Sequence, residues 1–580
     1  MTNKNAPLRD FTRGGQTLLH FFRMGSQVFK RFFALVVLGW VLSVLGFYYL
    51  KTTAYERYAV VKWVVARTAV DWMDPQNTLA FRLSNGREAS VSIERLARHP
   101  RLLALVRQHQ GVLLTACWVG LLLTALLFSG VLWLIIQTGR GLRHEKHLRG
   151  GQLTTSQRLT TELRVTGQAS DVRIAGVPLL KGAETSHLLI TGSPGSGKSL
   201  AIRDVLDGIR QRGDRAIIYA TTGEFVEHYY RGDCDTILNP LDARCPAWNV
   251  WNDCHAPTDY DQVAQSLIPD ARSGDPFWTK AAQILFSMTA QRLATQNPST
   301  AALLNYLLTV DLATLQQFLH GTEAAPLVEK DAEKMSLSIR ATAAAYARSL
   351  KFLRQDDAPP FSIRRWVESD DDDRWLFMTS RADQKAALRP LITSWLDIAA
   401  AAILAQAPDP KRRLWVVIDE LPSLNRLPSL SALLAMGRKH GACGVLGFQS
   451  YAQLCDIYGR HAAEEITGLC STWVLYRANE PVTAAWCSKA LGTVENLEAN
   501  EGLSYGANEI RDGVNLSMTR QTRPLVMPSE MQALPDRHGY LRLPGDFPIA
   551  RFEIPYRPRP VIAPGYAPVT TQALTLETPA

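Results

Sequence analysis

The stretch Leu188-Leu189-Ile190-Thr191-Gly192-Ser193-Pro194-Gly195-Ser196-Gly197-Lys198-Ser199 decides the fold class of this 580-residue chain. An apolar run is followed by the pattern G-x-x-x-x-G-K-S. A segment with apolar residues at helical spacing comes next, at Ile202, Val205, Leu206 and Ile209. Strand, loop and helix in this order are the context in which the pattern indicates a phosphate-binding loop. The alternative, a chance Gly/Ser-rich turn, is disfavoured by a second motif described below.

Each part of this loop has a predicted role in binding ATP. Backbone N–H groups at the start of a helix cradle phosphate oxygens, and the glycines allow the close approach. Lys198 is expected to reach the terminal phosphates as a catalytic residue, and the Ser199 hydroxyl is expected to bind Mg²⁺. The predicted nucleotide-binding residues are Gly192, Ser193, Pro194, Gly195, Ser196, Gly197, Lys198, Ser199 and Leu200.

A second motif, Leu414-Trp415-Val416-Val417-Ile418-Asp419-Glu420, is an apolar strand that ends in two carboxylates. In P-loop ATPases the first carboxylate holds Mg²⁺ and the second orients the attacking water. We therefore predict Asp419 as a metal ligand and Glu420 as a catalytic residue. The alternative is a solvated acidic turn at a strand end. This alternative is disfavoured because the phosphate-binding loop precedes the motif in the same chain.

Two further residues are candidates for catalysis. Gln449 follows the apolar run Gly444–Phe448, and a Gln at the end of a strand beside the Asp-Glu strand can reach the γ-phosphate. The alternative for Gln449 is a loop-capping amide. Arg438, in Gly437–Gly441, follows the helical segment after Glu420. It either stabilises a helix C-terminus or enters a neighbouring subunit as an arginine finger, and the residues alone leave both open.

Short apolar runs alternate with helical patterns after residue 149, which predicts a parallel sheet covered by helices on both faces. Residues 258–362 break the alternation with helical patterns alone, so we expect an all-helical insertion there. The predicted strands are His187–Ile190, Ala216–Tyr219, Trp375–Met378, Leu414–Ile418, Gly444–Phe448 and Trp473–Tyr476.

Two uncharged apolar segments are long enough to cross a membrane. Phe32–Leu50 has 19 residues and Gly111–Gln137 has 27, and basic residues flank both. The alternative, two buried core helices, explains the charged and aromatic flanks less well. The positive-inside rule weakly favours both termini in the cytoplasm, and the nucleotide loop favours the same orientation because ATP is cytosolic.

The net charge of +9 belongs to the flanks of these segments. Residues 1–31 and residues 51–110 each carry +5, so the rest of the chain sums to −1. Any DNA contact must therefore come from a local patch of the soluble part. The eight cysteines show no C-x-x-C spacing, which favours ordinary reduced thiols over a zinc site.

With these residues in view, the chain resembles the TraD/TraG/TrwB coupling proteins of conjugative type IV secretion, which are related to FtsK/HerA-type DNA-pumping ATPases. The resemblance extends from the two apolar segments to about residue 556. It is carried by Thr191–Ser199, Ile237–Arg244, Leu414–Leu424, Met436–Gly441, Gly447–Ser450, Arg511–Val514, Pro528–Glu530 and Gly539–Gly545.

The resemblance implies a homo-oligomer, a hexameric ring embedded in the bacterial inner membrane. Family members receive a relaxase bound to single-stranded DNA and pass it to the secretion channel, driven by ATP. The family's arginine at the position of Arg438 acts across the subunit interface, and its glutamine at the position of Gln449 senses nucleotide. The helical insertion corresponds to the family's membrane-distal domain, implicated in DNA contact. A long acidic C-terminal extension of the longest TraD forms is not part of this sequence, so docking through such a tail is not implied.

The expected fold class is α/β: a RecA-like P-loop NTPase with a parallel sheet, an inserted all-helical domain and an N-terminal two-helix transmembrane anchor. The expected segments, in chain order, are a cytoplasmic N-tail at 1–31, transmembrane helices at 32–50 and 111–137 around a periplasmic loop at 51–110, a nucleotide-binding domain at 138–257 and 363–556 around the helical insertion at 258–362, and a Pro-rich tail at 557–580.

The leading functional hypothesis is an inner-membrane ATPase that couples the relaxase–DNA complex to the secretion channel. An FtsK/HerA-like translocase for segregation or repair is a second hypothesis, disfavoured because two spans and a modest outer loop do not match that layout. A third is a receptor whose ATP hydrolysis gates docking without processive DNA movement. A membrane-anchored signalling NTPase is a fourth, weaker hypothesis.

Overall fold

The computed structural model describes residues 6–142, 146–271, 274–296, 298–354, 360–369, 373–504 and 513–569. The chain divides into two compact units. The first consists of Met1–Glu145 and Glu498–Thr519, and the second of Lys146–Leu497 and Arg520–Ala580. The first boundary lies inside the segment 138–257 expected from the sequence. The family stretch at Arg511 and Asp512 lies outside the described residues.

The first unit contains two long helices, α1 and α4, which pack side by side. Trp40 Nε1 donates to the carbonyl of Cys117 (3.2 Å), and the Tyr48 hydroxyl lies 3.0 Å from His109 Nδ1. Because the residue numbers rise in α1 as they fall in α4, the helices are antiparallel. The elements are α1 (Ala6–Lys51), α2 (Ala54–Ala69), β1 (Thr78–Arg82), β2 (Glu88–Ser92), α3 (Ile93–Ala97) and α4 (Pro100–Leu142).

Both long helices contain a stretch with the length and apolarity of a membrane span, Phe29–Lys51 and Pro100–Leu134. The first stretch includes the segment 32–50 expected from the sequence. The second covers 111–134 of the expected segment 111–137, and α4 itself continues to Leu142. A third helix, Lys385–Ala405, also meets the length and composition criteria. It is mostly buried inside the second unit, so its apolar character is that of a core helix.

The second unit is built around a ten-stranded sheet with the order β4-β17-β16-β13-β7-β12-β11-β8-β10-β9. Its elements before the long helical segment are β3 (Lys146–Gly150), β4 (Leu153–Thr155), α5 (Ser156–Val165), β5 (Ala169–Ile174), β6 (Val177–Leu180), β7 (Leu188–Thr191), α6 (Lys198–Arg212), β8 (Arg215–Ala220), α7 (Glu224–Tyr229) and β9 (Thr236–Leu238).

Between β9 and the next strand, the described residues form helices, turns and isolated β-bridges, and no further strand. The helical elements are α8 (Pro257–Leu267), α9 (Phe277–Ala294), α10 (Thr300–Leu304), a single π-helical turn (Asn305–Thr309), α11 (Leu312–Phe318), α12 (Glu333–Ala347) and α13 (Ile363–Glu368), besides short 3₁₀ turns. Their buried side chains form one continuous core with one face of the sheet, so this segment packs directly on the nucleotide-binding part.

The remaining elements return to the alternation of strands and helices. They are β10 (Trp375–Thr379), α14 (Lys385–Ala405), β11 (Leu414–Ile418), α15 (Leu430–Met436), β12 (Ala442–Phe448), α16 (Tyr451–Tyr458), α17 (Arg460–Gly468), β13 (Thr472–Tyr476), α18 (Pro481–Leu491), β14 (Thr493–Ser504), β15 (Gly513–Pro524), α19 (Pro528–Gln532), β16 (His538–Arg542) and β17 (Ile549–Glu553).

The parallel sheet expected from the sequence is confirmed, because the strands from β9 to β13 in the sheet order pair in parallel. At one side the sheet continues with strands that the sequence analysis did not predict. β16 is antiparallel to β13, and β17 is antiparallel to β16. β16 has a buried run of only three residues, and the exposed Arg551 interrupts the buried residues of β17, so both lack the longer apolar runs of the predicted strands.

The beginning of the predicted Pro-rich tail, residues 557–569, is an extended strap on the second unit. The Ala243 amide donates to the carbonyl of Ala567 (2.7 Å), and the Tyr566 hydroxyl donates to the carbonyl of Leu241 (2.7 Å). Arg559 makes ion pairs with α6, considered below. The rest of the predicted tail, 570–580, and the first residues of the predicted N-tail, 1–5, lie outside the described residues.

Candidate nucleotide site

The loop between β7 and α6 has a backbone that needs glycine. Gly195 and Gly197 have φ angles of +77° and +119°, a region that side chains rarely adopt. At Gly192 a Cβ atom would overlap the Ser196 Oγ and would lie 2.6 Å from the Tyr476 Cβ. The predicted glycines are therefore required by backbone conformation in two cases and by close packing in the third.

Segments distant in sequence hold this loop in place. The Ser193 amide donates to the carbonyl of Arg477 (2.8 Å), and the Ser193 Oγ accepts from the amide of Asn479 (2.9 Å). The Arg537 amide donates to the carbonyl of Ser196 (2.8 Å). The sequence analysis missed these supporting residues because their contribution is a backbone group, which carries no sequence signal.

The structure brings the two predicted motifs together at the carboxyl ends of the strands. Lys198 Nζ donates to the carbonyl of Asp419 (2.7 Å) and to Glu420 Oε2 (2.8 Å), and it lies 3.4 Å from Asp419 Oδ1. The three side chains are only 9%, 13% and 10% exposed. At this degree of burial an ion pair is weakly screened by solvent, so the cluster holds one cation against two carboxylates.

Asp419 has an unused acceptor. Within the described part of the chain, its Oδ1 atom is buried and accepts no hydrogen bond. Ser196 Oγ, in the loop, is likewise buried without a partner there. Buried polar atoms without partners are rare in folded proteins, and such atoms indicate a site for an ion or ligand.

Gln449 lies at the same edge of the sheet. It follows β12, which pairs with the loop strand β7 on one side and with the carboxylate strand β11 on the other. The Gly192 amide donates to the carbonyl of Phe448 (3.4 Å), so the end of β12 adjoins the loop. The Gln449 side chain is partly exposed. The strand order thus brings Gln449 to the gap between the two motifs.

Arg438 is not part of this cluster within one chain. It lies in a 3₁₀ turn after α15 and before the start of β12, and it is exposed. The seven residues of β12 separate it from the loop. At about 3.3 Å per residue this distance is roughly 20 Å. Arg438 therefore lies at the opposite edge of the sheet from Lys198 of its own chain.

Two neighbouring cations, of which Lys385 lies close to Glu420, were missed by the sequence analysis. Lys385 and Arg389 lie in the first turns of α14, which follows β10. The pKa of Lys385 is lowered mainly by burial, and then by the charges of Arg389 and Lys198, while Glu420 raises it. The sequence could have indicated these residues, because both follow the carboxyl end of the predicted strand Trp375–Met378 and the two motifs also lie at the carboxyl ends of strands.

Comparison with known proteins gives the family of this chain. Residues 171–555 match the family described as the type IV secretion-system coupling protein DNA-binding domain. The chain belongs to the type IV secretion-system coupling proteins. This coupling protein is 33% identical to the coupling protein TraD of Escherichia coli (strain K12) over 570 residues, which cover 97% of this chain and 79% of TraD.

Solved structures of a second coupling protein have the same fold. An unbound form of the bacterial conjugative coupling protein TrwBdeltaN70 has a TM-score of 0.66 and 32% identity, covering 73% of this chain and 97% of that chain. TrwB in complex with ADP and Mg²⁺ has a TM-score of 0.65 and 31% identity, covering 74% and 98%. The fold of the second unit is therefore that of the RecA-like P-loop NTPases, as the sequence predicts.

Proposed function

We propose that this coupling protein is an inner-membrane ATPase that links a relaxase–DNA complex to the type IV secretion channel and drives DNA transfer in conjugation. The observation that carries the ATPase part is the contact of Lys198 with both Asp419 and Glu420 at the ends of the parallel strands. Membership of the coupling protein family supports the conjugative part. TrwB binds a non-hydrolysable ATP analogue, and also ADP with Mg²⁺, which supports the choice of nucleotide and metal.

The residues of the site fit ATP and Mg²⁺. The Ser199 hydroxyl and the buried Asp419 Oδ1 are oxygen ligands of the kind that Mg²⁺ prefers. In the described residues this Oδ1 accepts no hydrogen bond, although it lies 3.4 Å from Lys198 Nζ. When bound, Mg²⁺ supplies positive charge that neutralises the phosphate oxygens. Few protein ligands are needed, because Mg²⁺ in nucleotide sites keeps several waters and binds the phosphates directly.

Lys198 and Glu420 have linked roles. In the structure the Lys198 ammonium neutralises Glu420 at 2.8 Å. When Lys198 turns to the terminal phosphates, the Glu420 carboxylate loses this hydrogen bond and becomes free to orient and deprotonate water. Gln449 follows the strand between the two motifs and contacts the γ-phosphate side. Glu420 therefore stays bonded to Lys198, and cannot act as a base, until a triphosphate binds Lys198.

The two long apolar helices and the family support a proposal for assembly and orientation. The two helices, α1 and α4, anchor the chain in the inner membrane as a multi-pass protein with the ATPase part in the cytoplasm. Subunits form a hexameric ring that receives single-stranded DNA with its relaxase. The exposed Arg438 completes the site of a neighbouring subunit as an arginine finger, since it is too far from the loop of its own chain.

The ATPase proposal is tested with the purified full-length protein. Lys198→Ala is expected to abolish ATP hydrolysis, because the charge on the terminal phosphates is lost. Glu420→Gln is expected to bind ATP and to hydrolyse it about 100-fold more slowly, because only proton abstraction is removed. Phosphate release and equilibrium ATP binding are the measurements. Glu465→Gln, an exposed position on α17, is the matched control. Wild-type turnover in Glu420→Gln would remove that residue from the mechanism.

The conjugative part needs its own experiments. A pull-down against the relaxase encoded beside this chain tests the partner. A single-molecule assay of stepping on single-stranded DNA separates a motor from a receptor that only gates docking. Stepping that stops in Glu420→Gln supports a motor. ATP-dependent relaxase binding without stepping supports the receptor instead.

A further inference from the structure

Helix α14 presents four polar residues at intervals of four: Lys385, Arg389, Thr393 and Asp397. Residues with this spacing lie along one face of a helix, each about 6 Å further along the axis. Thr393 and Asp397, the two nearer the C-terminus of the helix, accept hydrogen bonds from the segment that follows Glu420. Lys385 and Arg389, the two nearer its N-terminus, are basic residues that no predicted motif includes.

The hydrogen bonds of Thr393 and Asp397 determine how this face of α14 is aligned with the segment after Glu420. The Ser429 amide donates to Asp397 Oδ1 (2.8 Å), and the Asn425 amide donates to Thr393 Oγ1 (3.1 Å). Asp397 thus pairs with Ser429, and Thr393, four residues earlier, pairs with Asn425, also four residues earlier. The same alignment places Arg389 beside the residues just after Glu420, and Lys385 lies one helical turn further toward the start of α14.

Electrostatic contacts agree with this register. Lys385 is close enough to Glu420 and to Lys198 for both charges to affect its pKa. Arg389 and Asp419 both affect the Tyr219 hydroxyl, whose pKa is raised to about 12 mainly by burial. That hydroxyl lies 2.6 Å from Ser423 Oγ, which donates to the carbonyl of Glu420 (2.6 Å).

Neither cation has a counter-ion of its own among the residues that the structure describes. Neither side chain makes an ion pair within 4.0 Å in the described ranges, and Arg389 Nε is buried without a hydrogen-bond partner there. The nearby carboxylates Asp419 and Glu420 are already bonded to Lys198. A half-buried cation without a partner costs free energy, so this arrangement is suited to an anion that arrives from outside.

We propose that Lys385 and Arg389 bind the γ-phosphate of a nucleoside triphosphate held by the loop of the same chain. The inference rests on the proposed ATPase function and names the part of the site that distinguishes a triphosphate from a diphosphate. The γ-phosphate carries the charge that ADP lacks. In the proposed mechanism it lies on the side of Glu420, which orients the attacking water, and Lys385 is close to that carboxylate. Guanidinium and ammonium groups are the usual protein donors to phosphate oxygens.

The test measures equilibrium binding of a non-hydrolysable ATP analogue and of ADP to the full-length protein in lipid nanodiscs. Lys385→Ala and Arg389→Gln are each expected to weaken binding of the ATP analogue about tenfold, the effect of one charged hydrogen bond, and to leave ADP binding unchanged. Arg389→Lys is expected to recover part of the loss, because it keeps the charge. Lys334→Ala, an exposed position on α12, is the control.

Thermal unfolding of each variant checks that it is folded, and Lys385→Ala keeps the test open if Arg389→Gln melts early. An unchanged ratio of the two affinities in folded variants overturns the inference. An equal loss of ATP and ADP affinity also overturns it, since that result indicates a structural role. If the wild type binds neither nucleotide, the proposed ATPase function fails and this inference fails with it. If Lys198→Ala weakens nucleotide binding while the Lys385 and Arg389 variants bind like wild type, this inference is rejected and the proposed ATPase function stands.

Discussion

Gly447 is the residue at which the two motifs can approach each other. It lies in β12, beside the end of β11. A Cβ atom there would overlap the carbonyl oxygen of Asp419 and would lie 3.2 Å from the carbonyl oxygen of Ile418. The Asp419 carbonyl is the acceptor for Lys198 Nζ at 2.7 Å. The absence of a side chain at Gly447 therefore allows the Asp419 carbonyl to take the position in which it accepts from Lys198.

Gly447→Ala is expected to weaken nucleotide binding and to destabilise the protein by about 2 kcal/mol, because a well-packed strand must move to admit a methyl group. Thermal unfolding and ATP binding are the measurements. Gly468→Ala is the control, since a Cβ atom at Gly468 meets nothing within 4 Å. If Gly447→Ala melts and binds like wild type, the close approach of the two strand ends is not needed for the site.

At the scale of elements, the strap 557–569 joins the helix that begins at the phosphate-binding loop. Arg559 Nη2 lies 3.1 Å from Asp204 Oδ1 and 2.6 Å from Asp207 Oδ2, both on α6. Arg559 and Asp204 are about nine-tenths buried. Burial raises the pKa of Asp204, while Arg559 and the amide of Ala175 oppose that change. The strap therefore compensates a buried charge on the loop helix.

Arg559→Ala is expected to lower stability by about 3 kcal/mol, because it leaves the Asp204 carboxylate buried without its cation. The double variant Arg559→Ala with Asp204→Asn should recover part of this loss, because the uncompensated charge is gone. Apparent melting temperatures of the single and double variants are the measurement. If the double variant is no more stable than Arg559→Ala, the strap contributes by packing and not by charge.

At the scale of the whole molecule, the site of one chain is incomplete under the proposed mechanism. Lys198, Asp419, Glu420 and Gln449 share one edge of the sheet, while Arg438 lies at the opposite edge. Stacking subunits edge to edge in a ring would bring the Arg438 edge of one chain to the Lys198 edge of the next. Catalysis is then a property of the interface between subunits.

Rings made only of Lys198→Ala or only of Arg438→Ala are expected to be inactive. Mixing the two proteins should restore measurable ATP hydrolysis, because some interfaces then contain both intact residues. Labelled protein is used to verify subunit exchange. Zero activity at all mixing ratios, despite exchange, contradicts the role of Arg438 across the interface if the sites are independent. Titration of wild type with Arg438→Ala tests this condition: a linear fall in activity indicates independent sites, and a steep fall indicates concerted ones.

Much of the α/β core could be predicted because its signals are local. All six apolar runs are parallel strands of the central sheet, and each predicted range differs from the observed one by at most a few residues. β9 was missed because it has only three residues, β16 because only three of its residues are buried, and β17 because the exposed Arg551 interrupts its buried residues. The contacts of the strap at 557–569 could not be predicted, since a Pro-rich composition indicates an extended or disordered tail but not the surface on which it lies.

The sequence by itself determined the phosphate-binding loop, the carboxylate strand, the two long apolar helices and the alternation of strands with helices. Each depends on neighbouring residues, through periodicity, apolar length or the need for glycine at positive φ. Tertiary structure alone decided that β12 lies between the two motifs, that Lys198 reaches Glu420, that Lys385 lies close to Lys198 and Glu420, and that Arg438 lies at the far edge. These contacts join residues far apart in the chain, and strand order, which no local pattern encodes, brings them together.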